Sequence, residues 1–373
     1  MAAGAAPAAS QPVGQAHRPR AGRRLSPTAC LLLLGVLLAA SFVIGATSGA
    51  YAIDARSLPG LLAQGLQSAI GVPGAPGAEV SGDALVFFHI RLPRLCFGLL
   101  AGAALGAAGA LLQGLVRNPL ADPALIGVSS GAAAAAAATI VLGVLWWPLM
   151  PRTLGSAPLV AAAFAGGLAA AALIQVWAQV EGHTRLALML LAGIAVNALA
   201  GAVIGWLSFL ATDEQLRSIQ FWLLGSLAAA RWQSVGGVAV LCVLGALLAW
   251  PLARGLNALA LGEEAARALG VRVESVKRRA VLASALAVAA VSATAGIIGF
   301  IGLVAPHAVR LVAGPDHRIV LPGSALLGAA LVLLADAVAR SVAAPAEVPL
   351  GVITALIGAP CFLVLLRRER YRL

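Results

Sequence analysis

LVAPHAVRLVA, Leu303 to Ala313, is an apolar stretch of eleven residues, and whether it crosses a bilayer decides the architecture of the chain. At about 1.5 Å per residue it reaches about 16 Å as a helix, roughly half of a hydrocarbon core. Around it lie nine longer apolar runs, at 30–50, 92–116, 124–147, 156–180, 186–211, 235–253, 280–302, 321–341 and 350–366. Nine crossings leave the chain ends on opposite sides, whereas ten bring them together. The basic residues arbitrate. Arg18, Arg20, Arg23 and Arg24 precede the first run, and Arg367, Arg368, Arg370 and Arg372 follow the last. The loop between the sixth and seventh runs holds Arg254, Arg267, Arg272, Lys277, Arg278 and Arg279. Lys and Arg near span ends mark the cytoplasmic side, so both termini and that loop are expected there. Leu303–Ala313 is the stretch left to supply the tenth pass. It can do so only with help from the adjoining turn and with other helices packed around it.

Composition agrees with this reading. Of 373 residues, 61% are hydrophobic and 10% charged, against about half and a quarter in soluble domains. The runs do not alternate apolar and polar as barrel strands do, and their Ala/Gly richness suits closely packed helices. The expected fold is an all-α polytopic membrane protein with ten transmembrane helices. The net charge of +11 sits at span ends, which argues against a nucleic-acid partner. Residues 1–29 read as a disordered tail, 30–368 as a single membrane domain and 369–373 as a short second tail. The longest external loop is expected at 51–91, where VPGAPG (72–77) interrupts any helix, and a short external helix at 213–231. The basic start and first apolar run resemble a signal peptide, with Ala50-Tyr51-Ala52 as a cleavage site. The run is longer than the usual signal core, so a retained first span is favoured.

Several motifs bear on chemistry. The four cysteines, Cys30, Cys96, Cys242 and Cys361, form no CxxC pair, so neither a metal site nor a disulfide framework is expected. Lys277 is the single lysine and is preceded by Val276. A GxxxxGK[ST] phosphate loop is therefore impossible, and any ATP hydrolysis belongs to another chain. RNPLADPALIGVSSGA (117–132) holds two prolines that enforce a compact turn, and Asp122 is placed to cap a helix beginning near Pro123. A faint echo, GPDHRIVLPGSALLGAA (314–330), repeats a turn, an aspartate and a small-residue helix start. Arg91 and Arg94, at an outer span end, read as snorkelling anchors or as a dock for an acidic partner. Arg340 stands four residues after Asp336, a ready i,i+4 pair. Glu263, Glu264 and Arg267 lie between Gly262 and Gly270, as a docking element or a helix lying on the membrane surface.

Taken together, RLPR (91–94), GALLQGLVRNPLADPALIGVSSGA (109–132), LLAGIAVNAL (190–199) and FWLLGSL (221–227) resemble a known family. LNALALGEEAARALGV (256–271), GIIGFIGLVAPHAVRLVAGPDHR (296–318), DAVAR (336–340) and EVPLGVITALIGAPCFLVLLRR (347–368) extend the likeness. The chain is similar to permease subunits of ABC importers for iron-siderophore, haem and vitamin B12. The resemblance implies ten helices per subunit, a homodimer in the bacterial inner membrane, two cytoplasmic ATPase subunits and a periplasmic substrate-binding protein. It implies no cofactor and no enzymatic activity in this chain. It places ATPase coupling in 256–275, at Gly262, Glu263, Glu264, Arg267, Leu269 and Gly270, and binding-protein docking at Arg91, Arg94 and Arg340. It assigns a cytoplasmic gate to Asn118, Leu120, His183 and Thr184, with the small-residue helix after the turn packing closely.

Haem is the expected cargo, with ferric siderophore and cobalamin as alternatives. His89, His183 and His307 are not expected to be haem ligands, since a carrier that must release its cargo gains little from axial ligation. The rival class is an ion-gradient-driven transporter. It would need an acid near mid-membrane, and Asp336 is the one candidate. A membrane enzyme lacks both a zinc motif and a nucleophile–base pair.

Overall fold

The computed structural model describes residues 25–49, 51, 53–69, 82–146 and 155–370. Most of the expected first tail, the VPGAPG stretch, Ala50 and Ala52, and residues 371–373 lie outside them. The chain runs α1 (Pro27–Thr47), α2 (Leu58–Ala69), α3 (Gly82–Val86), a π turn (Phe87–Arg91), α4 (Leu92–Val116), α5 (Val128–Trp146) and α6 (Ala157–Trp177). A two-stranded hairpin, β1 (Gln179–Val180) and β2 (His183–Thr184), leads into α7 (Leu186–Leu210), α8 (Asp213–Leu224) and α9 (Trp232–Ala249). Then come α10 (Ala253–Leu259), α11 (Glu263–Ala268), α12 (Val273–Ala295), α13 (Ile301–Ala313), α14 (His317–Ser341) and α15 (Leu350–Arg370).

Among the described residues seven helices are long and apolar enough to span, with Gly82–Val116 and Trp232–Leu259 each counted as one continuous helix. Three shorter apolar helices accompany them, Val128–Gly143, Ile301–Ala313 and Leu350–Val364. α1 begins at Pro27, earlier than the apolar run suggested, because Ser26 accepts the Ala29 N–H at 3.2 Å and proline suits the first helical position. The expected loop at 51–91 is corrected. Helix resumes at Gly82 and passes through the π turn directly into α4. α8 starts where Thr212 and Gln215 form a reciprocal capping box and stops at Gly225 (φ 69°), so it covers 213–224 rather than the expected 213–231.

The opening stretch lies in α13, which starts two residues early, at Ile301, and spans 13 residues, about 20 Å. The backbone before it is irregular, opening at Gly296 (φ 73°) and closing at Phe300 (φ 67°). Leu303, Ala305, Pro306, His307 and Val309 are all buried, and α4 and α14 flank the helix. Non-helical backbone at this depth is tolerated where protein surrounds it.

α4 and α14 form the most extensive helix pair. A Cβ on Gly102 would fall on the Gly328 carbonyl, and one on Gly328 on the Gly102 carbonyl. One turn on, Gly106 lies against the Ser324 carbonyl. Helices in lipid gain little from hydrophobic association and adhere by such close backbone approach. The same device joins α5 to α6. A Cβ on Gly131 would stand 2.6 Å from the Gly166 oxygen, and one on Gly166 2.6 Å from the Gly131 oxygen. This explains the Gly/Ser/Ala string after the polar turn.

Loop contacts define two ends of the bundle. At one end Thr184, Glu263, Glu274 and Lys277 meet, and Leu25 donates to the Val312 carbonyl at the close of α13. At the other, Arg91, Arg94, Arg340, Glu347 and the last turn of α1 meet, and Leu350 donates to Gly225.

Candidate functional site

The α11 end holds the polar turn, the hairpin and α11. Arg117 closes α4 in the left-handed region (φ 56°). The Asn118 side chain accepts the Leu120 N–H at 2.9 Å, and its carbonyl accepts the Ala121 N–H at 3.1 Å. This is the local turn that asparagine supports. Asp122 accepts the Ala124 N–H at 2.7 Å, but what it caps is a short 3-10 turn, Pro123–Ile126, rather than α5 itself. Gly127 (φ 67°) closes that turn. Asn197 of α7 ties the turn to the next helix, donating to the Ala124 carbonyl at 3.4 Å and accepting from the Ser130 hydroxyl at 2.5 Å. Asn118 is exposed and Leu120 half-buried.

The hairpin turns on Glu181 (φ 52°) and Gly182 (φ 80°), the positive-φ pair that matches strand twist. His183 and Thr184 therefore point apart. His183 is exposed, whereas Thr184 is buried and serves as an anchor. The Thr184 N–H donates to Glu274 at 2.9 Å, its hydroxyl accepts from Gln175 at 3.1 Å, and its carbonyl accepts from Lys277 at 2.9 Å. Of the two hairpin residues expected at the gate, Thr184 is held inside, and His183 is exposed with its Nδ1 3.8 Å from Glu274.

Lys277 is 2% exposed. Its ammonium group meets the Thr184 carbonyl at 2.9 Å, Glu263 at 2.8 Å and Glu274 at 3.2 Å. Those three acceptors match its three donors. One side chain thus joins α11, α12 and the hairpin. α11 itself is bounded by positive-φ Gly262 and Gly270, as the glycine stops indicated. Its acids, Glu263 and Glu264, stand in the first turn and Arg267 in the last, which complements the helix dipole. Ala266 faces inward, while Glu264, Arg267 and Leu269 are exposed.

At the far end the three sequence-chosen arginines come together, but inside the protein. Arg91, Arg94 and Arg340 are 5%, 7% and 7% exposed. Arg94 grips Asp336 through Nε at 2.9 Å and Nη2 at 2.8 Å, and reaches Glu347 through Nη1 at 2.8 Å. Arg340 takes the other Asp336 oxygen at 2.9 Å, the expected i,i+4 pair, and donates to Ser48 and Gly45 carbonyls at 2.8 and 2.9 Å. Arg91 donates to the Ala46 carbonyl at 2.6 Å and to that of Tyr51. The positive charge left over from two carboxylates thus rests on the carbonyl end of α1, the negative pole of its dipole. Free guanidinium groups awaiting a partner's carboxylates are not what this arrangement offers. Asp336, 1% exposed between two arginines, is equally unsuited to carry ions. Lys277, Glu274, Glu347 and Asn197 were not singled out as site residues. The i,i+3 spacing of Glu274 and Lys277 was the available signal.

Comparison with known proteins completes the picture. Residues 37–368 match the FecCD transport family. The hemin transport system permease HmuU of Yersinia pestis is 45% identical over 289 residues, covering 76% of this chain and 84% of that protein. The cobalamin import system permease BtuC of Halobacterium salinarum is also 45% identical, over 283 residues covering 76% of this chain and 73% of that protein. A solved metal-chelate type ABC transporter in an inward-facing conformation superimposes with a TM-score of 0.76 at 32% identity, covering 91% of this chain and 99% of that one. With helices, motifs and relatives in agreement, the chain belongs to the FecCD transport family, the permease subunits of ABC importers.

Proposed function

We propose that the chain works as a homodimer that moves hemin across the bacterial inner membrane, driven by ATP hydrolysed in two separate cytoplasmic subunits. The observation that carries this is the 45% identity with the hemin permease, which extends over 84% of that protein. The cobalamin permease reaches the same identity over 73% of its length. The three short apolar helices bring the crossings to ten and leave both termini and α11 in the cytoplasm. α11 supports an ATPase contact through exposed Glu264, Arg267 and Leu269, with Gly262, Glu263 and Gly270 fixing its position. Asn118, Leu120 and His183 form the cytoplasmic gate, and Thr184 holds the hairpin that presents His183. Arg91, Arg94 and Arg340 contribute to docking of the external binding protein by organising the rim, where half-exposed Glu347 is held by Arg94. The exposed apolar faces of α7 and α15, including Leu191, Phe209 and Leu356, supply the surface for the second copy.

The test is uptake into proteoliposomes containing the permease, its cognate ATPase and binding protein. ATP-dependent accumulation of hemin well above that of cobalamin or a ferric siderophore is expected. Accumulation of either alternative alone would overturn the cargo, and uptake on an ion gradient without ATP would overturn the class.

A further inference from the structure

At the α11 end, where α9 bends through Trp250–Leu252 into α10, a cavity of about 500 Å³ opens against the start of α14. Trp250, Arg254, His317, Arg318, Leu321 and Pro322 line it. From these residues we infer a binding site for the headgroup of an anionic glycerophospholipid.

The position is interfacial. Trp250 is 70% exposed at the end of an apolar helix, where indole rings settle at headgroup depth. Leu321 and Pro322 lie one turn deeper along α14 and offer an apolar seat to the first acyl carbons. Arg254 and Arg318 come from different helices and are both exposed. Among the described residues neither has an ion pair, unlike Arg94, Arg267 and Arg340. Basic pockets between membrane helices suit anionic headgroups.

The nearest acid, Asp316, attracts Arg318 without forming an ion pair with it, which leaves one positive charge in excess beside the cavity. Asp316 accepts from Asn257 at 2.6 Å and from the Arg318 N–H at 2.9 Å, so its carboxylate is engaged in capping α14. The Arg318 N–H is the main reason its carboxyl lies below the usual range. The first N–H of α14, that of His317, is taken by Asn257 at 2.9 Å. Recognition therefore falls on the guanidinium groups rather than on the helix terminus.

His317 forms part of the inner wall of the cavity, and the charge selection belongs to the two arginines. His317 is 5% exposed, and its Nδ1 meets Asn257 Oδ1 at 2.9 Å. The Asn257 amide nitrogen donates to Asp316, so its oxygen is the acceptor and Nδ1 carries the proton. Nε2 is turned away from the cavity and sealed against Gly114 of α4.

The experiment uses the full chain in neutral detergent, with lipid retention read by native mass spectrometry. Phosphatidylglycerol should be retained in clear preference to phosphatidylcholine of the same acyl chains. The Arg254→Gln/Arg318→Gln pair should weaken phosphatidylglycerol about 30-fold, which at 1.4 kcal/mol per tenfold is about 1 kcal/mol for each arginine. Arg279→Gln, an exposed cation elsewhere at the same end, should leave the preference intact. Equal retention of both lipids, or an unchanged preference in a double variant that keeps its helical circular dichroism, would overturn the site. Full displacement by inorganic phosphate would overturn the lipid as its source.

Discussion

Asp336 is 1% exposed and holds two guanidinium groups, while Glu347, bonded to the same Arg94, has a side chain 40% exposed. Burial makes these two carboxylates unequal. Removing one partner of a buried pair strands an uncompensated charge and costs about 3–5 kcal/mol, whereas an exposed pair contributes about 0–1 kcal/mol. Asp336→Ala should therefore lower the unfolding temperature markedly in detergent, with Arg340 left without a carboxylate and Arg94 with the exposed Glu347 alone, and Glu347→Gln should barely move it. A thermal melt followed by tryptophan fluorescence compares the two, and equal losses would contradict the ranking. The four-residue spacing of Asp336 and Arg340 was legible in the sequence. The participation of Arg94 was not, because its partner lies 242 residues away and only the packing of α4 on α14 joins them.

At the scale of elements, the α4–α14 interface depends on the absence of side chains. A Cβ at Gly106 would overlap the Ser324 backbone, and backbone cannot step aside as a flexible side chain can. Gly106→Leu should cost at least the roughly 1–3 kcal/mol typical of overpacking. Gly35→Ala and Gly201→Ala, which meet nothing within 4 Å, should be near neutral. Yields of folded protein by size-exclusion chromatography read the difference. The small-residue richness of these runs was visible in sequence, but which glycines meet which was not, since helical register between distant segments leaves no local mark. Element boundaries failed where capping outweighed hydropathy, as at Ser26–Pro27, and where a polar-flanked helix preceded a span, as at Gly82.

For the molecule as a whole, the apolar runs anticipated where the long helices lie, and α13 is a short buried one among them. The α11 segment was legible because Gly262 and Gly270 bound it. The link from that segment to the hairpin was not, because Lys277 looked like one cation in a basic cluster. Its burial has a practical consequence. The chain contains a single ε-amino group, and it is sealed beneath two carboxylates and a carbonyl. Succinimidyl esters should therefore leave that side chain unacylated at rest, as peptide mass mapping would reveal. Rapid modification during turnover would time-stamp each moment at which α11 and the hairpin part company.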